Sequence, residues 1–228
     1  MHAHPVVLWR RLLGEFLGSA LLAAIVIGSG IAAQHLSPGN VGVELLENAL
    51  ATGAGLFVLL LIFGSVSGAH LNPFVSLVDA FLGGISWRDA LAYLPVQVVG
   101  CVAGAVTANV MFARSAISFS THHRSSGPHL LGEIIATAGL ILVIFALARN
   151  GKHAFTPAAV GAYIMAAYFF TSSTSFANPA ITVGRMFSNS FAGIAPSSTL
   201  PFVGAQAVGA LCGLVLVRAL YPTRLTAT

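Results

Sequence analysis

Six long runs of apolar residues follow one another along the chain, and few charged positions interrupt them. Most are close to the roughly 20 residues that an α-helix needs to cross a hydrocarbon core of about 30 Å. The pattern therefore predicts an all-α protein with six transmembrane helices. The runs cover residues 12–33, 45–66, 90–112, 130–148, 158–171 and 201–220.

Two shorter apolar runs, 74–82 and 180–187, each follow an Asn-Pro pair. Asn is a good N-cap and Pro suits the first helical position, so each pair is expected to open a helix. Neither helix is long enough to span a bilayer. We therefore expect two half-helices that begin inside the protein. The two pairs are Asn72-Pro73 and Asn178-Pro179.

The composition is that of a membrane protein, with 57% hydrophobic residues, 7% charged residues and a mean hydropathy of +0.89. The net charge of +4 comes from basic residues too scattered to form a nucleic-acid site. Seven of the ten basic residues fall at the termini or in the second and fourth connections. The positive-inside rule then predicts a multi-pass protein of the inner (plasma) membrane, surrounded by lipid, with both termini cytoplasmic.

The chain is an internal duplication, because three features of its first half return in the second at similar offsets of 118, 106 and 109 residues (133 minus 15, 178 minus 72, 206 minus 97). Repeat one covers about 8–112 and repeat two about 129–221, within one channel domain, 1–228. Three spans per repeat is an odd number, so the second repeat is inverted and the half-helices enter from opposite faces. The matched residues are Glu15 and Glu133, Asn72 and Asn178, and Gln97 and Gln206.

The meeting point of the two half-helices has a predictable electrostatic character. Each helix N-terminus carries roughly +0.5 of a charge and unpaired amide donors, so two of them at one spot repel cations and protons. The side-chain amides of Asn72 and Asn178 can donate to a passing oxygen. We therefore expect a narrow pore for neutral molecules. Its midplane is formed by Asn72, Pro73, Asn178 and Pro179.

Two Asn-Pro motifs in an inverted duplication, the segment GAHLNP, and a Glu in the first and fourth helices together resemble the major intrinsic protein family. This family comprises the aquaporins and glycerol facilitators. The resemblance implies an aquaporin-like bundle of six tilted helices plus two re-entrant half-helices. It also implies a homotetramer with one pore per subunit.

The chain departs from this family in two places. Phe74 stands where the family usually has Ala, and its ring either narrows the pore centre or points sideways into the bundle, which we expect. Ile181 stands where water channels usually have Arg. Arg185, one turn further on, either reaches back into the constriction or lies in the outer vestibule and finds water there, which we expect.

Four positions of the outer constriction follow from alignment with the family pattern, and together they lack both His and Arg. Such a ring suits neutral solutes that carry several hydroxyls. The stretch SSTSFANPA and the missing Arg also resemble bacterial members linked to arsenic detoxification, which pass arsenous acid and methylated arsenicals. The aligned positions are Thr52, Tyr168 or Ala166, Ser175 or Thr174, and Ile181.

Glu15 and Glu133 lie in apolar helices, where an ionisable group is costly and is a candidate for function. Either they relay protons or they anchor the loops before the half-helices by accepting backbone amide bonds. Their symmetric placement favours anchoring. His70 is expected to be structural and partly exposed to the pore.

The sequence thus predicts a passive channel for water, glycerol-like polyols, arsenous acid or methylated arsenicals. The alternatives are a strict water channel and an ion-coupled secondary transporter, since inverted repeats with broken helices also build transporters. No motif indicates an enzyme, a cofactor or a metal site.

Overall fold

The computed structural model describes residues 6–221, and these contain eight α-helices and one short 3-10 turn, His153–Phe155. The predicted domain also includes residues 1–5 and 222–228, which lie outside this range. The helices are α1 Leu8–Leu36, α2 Val41–Ser67, α3 Pro73–Leu82, α4 Trp87–Met111, α5 Gly127–Arg149, α6 Thr156–Phe170, α7 Pro179–Arg185 and α8 Pro196–Leu220.

Five of these helices, α1, α2, α4, α5 and α8, are long and apolar enough to cross a membrane. The remaining span, α6, has 15 residues, which corresponds to about 22 Å of helix. The last helix begins at Pro196, five residues before the predicted start, because Pro196 fits the first turn and Pro201 is accommodated inside the helix. The result is the predicted all-α membrane fold of six spans and two half-helices.

The half-helices α3 and α7 begin where the sequence predicts. The Oδ1 atom of Asn72 accepts a hydrogen bond from the backbone N–H of Phe74 at 3.0 Å, and Oδ1 of Asn178 accepts one from Ala180 at 3.0 Å. In both helices Pro occupies the first turn. The helix α7 ends at Arg185, two residues before the predicted boundary.

Small residues let the long helices of each repeat approach closely. A Cβ atom at Gly100 of α4 would lie 2.5 Å from the carbonyl oxygen of Phe16 in α1, so only glycine fits there. In the second repeat, a Cβ atom at Gly209 of α8 would lie 2.5 Å from the carbonyl oxygen of Ile134 in α5. The two repeats therefore pack their first and third spans in the same way, with backbones in contact.

Candidate functional site

A cavity of about 560 Å³ runs along the inside of the bundle and is lined by residues from both repeats. One end is lined by Gly84, His153 and Thr156, and the other by Tyr168 and Arg185. We call these the α3 end and the α7 end. The walls between them are mostly apolar, and include Leu22, Val26, Leu56, Leu140, Ile144 and Val160.

Asn72 and Asn178 lie side by side in the middle of this cavity and tie the two loops together. Nδ2 of Asn72 donates to the carbonyl oxygen of Ala177 at 2.8 Å, and Nδ2 of Asn178 donates to that of Leu71 at 2.7 Å. An amide nitrogen carries two hydrogens, so each Asn keeps a second donor. Oδ1 of each Asn accepts a capping bond, and the second hydrogen of each Nδ2 is the donor that the side chain can offer to the cavity.

The loops before the two half-helices share an unusual backbone. Ala69 and Leu71 have φ of 49° and 48°, and Ser175 and Ala177 have φ of 49° and 48°. These non-glycine residues occupy the left-handed region, which costs free energy unless the surroundings hold them there. The two loops therefore adopt one strained shape, repeated 106 residues apart.

The buried carboxylates of Glu15 and Glu133 hold these loops. Glu15 accepts the backbone N–H groups of His70 at 3.0 Å and Leu71 at 2.7 Å. Glu133 accepts those of Phe176 at 2.8 Å and Ala177 at 2.9 Å. Each carboxylate also accepts a side-chain N–H, from Gln97 at 2.8 Å and from Gln206 at 2.6 Å respectively.

The positions aligned to the outer constriction meet at the α7 end of the cavity. The hydroxyls of Thr52 and Tyr168 lie 3.2 Å apart, and both side chains line the cavity together with Ser175 and Ile181. Of the open alternatives, Tyr168 and Ser175 are lining residues. Ala166 and Thr174 are not among the lining residues.

Arg185 is placed differently from the solvated vestibule residue that we expected. Only 2% of it is exposed, and it lines the α7 end of the cavity. Its Nε donates to the carbonyl oxygen of Ala192, and its Cζ lies 3.3 Å from the centre of the Phe176 ring. The position near a helix end suggested access to water, but the following segment folds back over the side chain, as the bond to Ala192 indicates.

A second arginine, Arg124, approaches the same Phe176 ring from the loop before α5. Its Cζ lies 5.5 Å from the ring centre, and its guanidinium donates to the carbonyl oxygens of Gly193 at 2.9 Å and Phe191 at 3.0 Å. Burial lowers the pKa of Arg124. Within residues 6–221, no carboxylate forms a salt bridge with Arg124 or Arg185, so this end of the cavity is positive.

Phe74 and His70 occupy different surroundings. Phe74 packs against the cluster that includes Val78 and Phe145, and it is not a lining residue, in agreement with a sideways ring. His70 lines the cavity. Its Nδ1 lies 3.0 Å from the hydroxyl of Ser76, and its Nε2 lies 3.3 Å from Oδ2 of Asp79.

Asp79, the carboxylate that lines the α3 end, is not among the residues predicted from the sequence. The spacing of the two half-helices could have identified it, because Asp79 follows Asn72 by seven residues, as Arg185 follows Asn178. Over residues 6–221, no three His, Cys, Asp or Glu side chains are grouped so that they could hold a metal ion.

A long cavity inside a membrane-spanning bundle, with amide donors at its middle, defines a membrane channel. Residues 2–177 match the family described as Major intrinsic protein, and the chain belongs to this family. The resemblance drawn from the Asn-Pro motifs is thereby confirmed.

Named relatives agree with this assignment. The chain is 46% identical to "Aquaglyceroporin AqpS" of Rhizobium meliloti (strain 1021) over 211 residues, which cover 92% of this chain and 90% of the relative. It is 29% identical to the "Glycerol uptake facilitator protein" of Bacillus subtilis (strain 168), over 88% and 79% of the two chains. The solved structure of the aquaglyceroporin from Plasmodium falciparum superposes with a TM-score of 0.72 over 96% and 98% of the two chains. At 20% sequence identity that likeness supports the fold alone.

Proposed function

We propose that this protein is a passive channel for small neutral hydroxylated solutes, namely water, glycerol-like polyols, and arsenous acid or methylated arsenicals. The observation that carries the proposal is the pair of oriented amides at Asn72 and Asn178. Each has one hydrogen fixed on the opposite loop and one left for the cavity. Donors of this kind receive a solute oxygen without a charged group, while the half-helix ends repel cations.

The α7 end supports solutes larger than water. Its lining combines the hydroxyls of Thr52, Tyr168 and Ser175 with the apolar side chain of Ile181. Arg185 contributes positive charge one turn beyond Ile181, stacked against Phe176 instead of projecting from the usual position. The names of the two relatives, an aquaglyceroporin and a glycerol uptake facilitator, favour the same substrate class.

An ion-coupled transporter is a weaker proposal, because coupling needs an ionisable group that can change its protonation or bind an ion. Glu15 and Glu133 are fully buried, and their oxygens accept hydrogen bonds from the loop amides. We infer that both carboxylates anchor the loops. We expect transport without catalysis.

The basic residues of the second and fourth connections and of the described ends support an orientation with both termini in the cytoplasm of an inner membrane. The α3 end then faces the cytoplasm and the α7 end faces outward. A homotetramer, each subunit with its own conduit, is the assembly that we propose. Exposed apolar side chains such as Leu21, Leu61 and Leu211 would face lipid or a neighbouring subunit.

Light scattering on proteoliposomes tests this proposal, with water, glycerol and arsenous acid as separate solutes and protein-free liposomes as the control. A channel passes all three at rates that do not change when a proton or sodium gradient is imposed. Flux of water alone would support the strict water channel. Flux that follows an imposed gradient would support the transporter.

A further inference from the structure

The two half-helices carry opposite charges at equivalent positions. Counting from each Asn, the residue seven positions later is Asp79 in α3 and Arg185 in α7. Both line the cavity, one at each end. Each also contacts the ring two positions before its own Asn, which is His70 in one loop and Phe176 in the other. The cavity therefore has a cation at the α7 end and a carboxylate at the α3 end.

The position of Asp79 is fixed from two sides. Its Oδ2 lies 3.3 Å from Nε2 of His70, whose ring is held by Ser76 and lies edge-on to Tyr93 with ring centres 5.6 Å apart. Its Oδ1 lies over the Cα of Gly84, where an added Cβ would come within 2.1 Å of it. A side chain at position 84 would therefore displace the carboxylate.

A chain of hydrogen bonds runs from the loop anchor Glu15 to His70, whose Nε2 lies 3.3 Å from Asp79. Gln97 donates to Glu15 at 2.8 Å and to the hydroxyl of Ser76 at 3.0 Å, and Ser76 contacts Nδ1 of His70 at 3.0 Å. The Ser76 hydroxyl has one hydrogen, which it can donate either to the carbonyl oxygen of Asn72 at 3.2 Å or to Nδ1 of His70. In the second case the neutral imidazole carries its proton on Nε2, toward Asp79. In the second repeat the chain stops at Thr182, because Phe176 cannot continue it.

The carboxylate remains accessible from the cavity. The side chain of Asp79 is 21% exposed, and that of His70 is 9% exposed. Among the lining residues of the described chain, Asp79 is the one carboxylate. The other lining residues near this end include the apolar Val75, Ile144, Phe145 and Val160 and the polar His153 and Thr156.

We propose that Asp79, positioned by His70 and Gly84, is a second solute-binding position that accepts hydrogen bonds from the hydroxyls of neutral polyhydroxylated solutes. This inference rests on the function proposed above. The Asn pair donates to a solute oxygen, whereas Asp79 accepts from a solute hydroxyl. A solute with several hydroxyls can hydrogen-bond to both positions in turn, and its bond to the Asp79 carboxylate is charge-assisted and therefore the stronger one.

The test compares Asp79→Asn with the parent protein in proteoliposomes, using water, glycerol and arsenous acid. The substitution keeps size and removes charge, so we expect glycerol and arsenous acid permeability to fall roughly tenfold, the factor that one charge-assisted hydrogen bond represents. Water permeability changes less than about twofold, since a molecule with a single oxygen gains less from a second binding position than a solute with several hydroxyls does. Glu47→Gln, which removes a carboxylate that does not line the cavity, is the control and leaves the ratio unchanged.

Gly84→Ala provides a second route that leaves Asp79 itself in place. The added Cβ displaces the carboxylate, so the solute-to-water ratio falls as in Asp79→Asn, while Gly127→Ala, where an added Cβ meets nothing within 4 Å, leaves it unchanged. Thermal unfolding in detergent establishes that each variant is folded. If Asp79→Asn fails to fold, Gly84→Ala alone decides the question.

An unchanged solute-to-water ratio in both folded variants would overturn the inference while the proposed function stands. The same holds if the ratio is unchanged and only cation leak responds, since Asp79 would then act on ions. A parent protein that passes neither glycerol nor arsenous acid would overturn the proposed function itself.

Discussion

The two Asn-Pro loops and their half-helices are the same structure built twice, with different chemistry on the cavity side. In both, a buried Glu accepts two consecutive loop amides, and a Gln bridges that Glu to a hydroxyl on the half-helix. Non-helical backbone at membrane depth needs such partners for every polar group. The loop backbones of the two copies need the same hydrogen-bond partners, and the same residue types, a Glu and a Gln, provide them.

The residues that face the conduit or the bundle around it do not match in this way. The first copy has His70, Phe74 and Asp79 where the second has Phe176, Ala180 and Arg185. None of these residues is needed to satisfy the loop backbone through its side chain. The comparison therefore separates positions that hold the pore open from positions that are available to select what passes.

The largest effect is expected from removing the buried anchors. Glu15→Ala and Glu133→Ala each leave loop amides without an acceptor, at about 1–3 kcal/mol per buried donor. Glu15→Ala should be the more destabilising, because Glu15 also accepts the Ser67 hydroxyl at 2.6 Å. The measurement is folded yield and the unfolding temperature in detergent. Glu133→Gln keeps one acceptor and is the milder control; normal stability with altered proton flux would point to a relay.

The next effect concerns the midpoint and tests whether the two Asn residues are equivalent. Asn72→Asp and Asn178→Asp each replace a donor by a carboxylate facing a carbonyl oxygen, and they offset the positive helix ends. We expect glycerol flux to fall roughly tenfold, as for the loss of one hydrogen bond of about 1.4 kcal/mol, and cation exclusion to weaken. Flux and proton leak in proteoliposomes provide the measurement. An effect confined to one of the two variants would contradict the equivalence.

A smaller effect is expected at the α7 end, where charge distinguishes the copies. Arg185→Met roughly keeps the side-chain volume and removes the cation. The ratio of glycerol or arsenous acid permeability to water permeability should therefore rise roughly fivefold, which corresponds to about 1 kcal/mol. Ile181→Arg in the parent would meet the like charge of Arg185. The ratio of solute to water permeability is the measurement, and Arg114→Met is the control, because Arg114 donates to the exposed carbonyl oxygen of Asn189 and is not a lining residue of the cavity. If instead Ile181→Arg lowers solute flux sharply while Arg185→Met changes nothing, the constriction is free of arginine influence.

The smallest effect on conduction is expected from Phe74→Ala, which gives the first copy the same triplet as the second. Phe74 packs in the cluster around Phe145, away from the cavity. The substitution should lower stability by about 1–3 kcal/mol, less than for a fully buried ring. The solute-to-water ratio should remain within about twofold of the parent, as light scattering would measure. A larger change would mean that the ring reaches the conduit.

The sequence predicts best those positions at which one residue meets one requirement of the backbone. The Asn-Pro pairs, Glu15 and Glu133 could be identified because capping and buried amides leave few other solutions. The burial of Arg185 could not be predicted, because it depends on how the residues after α7 fold back and place the Ala192 carbonyl oxygen against the guanidinium. The role of Asp79 could not be predicted from the sequence, because it depends on a contact with His70 that only the three-dimensional structure provides.

The reciprocal bonds between the loops also constrain the biosynthesis of the molecule. Nδ2 of Asn72 donates to the carbonyl oxygen of Ala177, a residue that the ribosome adds 105 positions later. At about 5–20 residues per second, the ribosome needs roughly 5–20 s to supply that partner. During this interval the nascent chain contains Glu15 and the first Asn-Pro loop, but not the second loop that completes the pore.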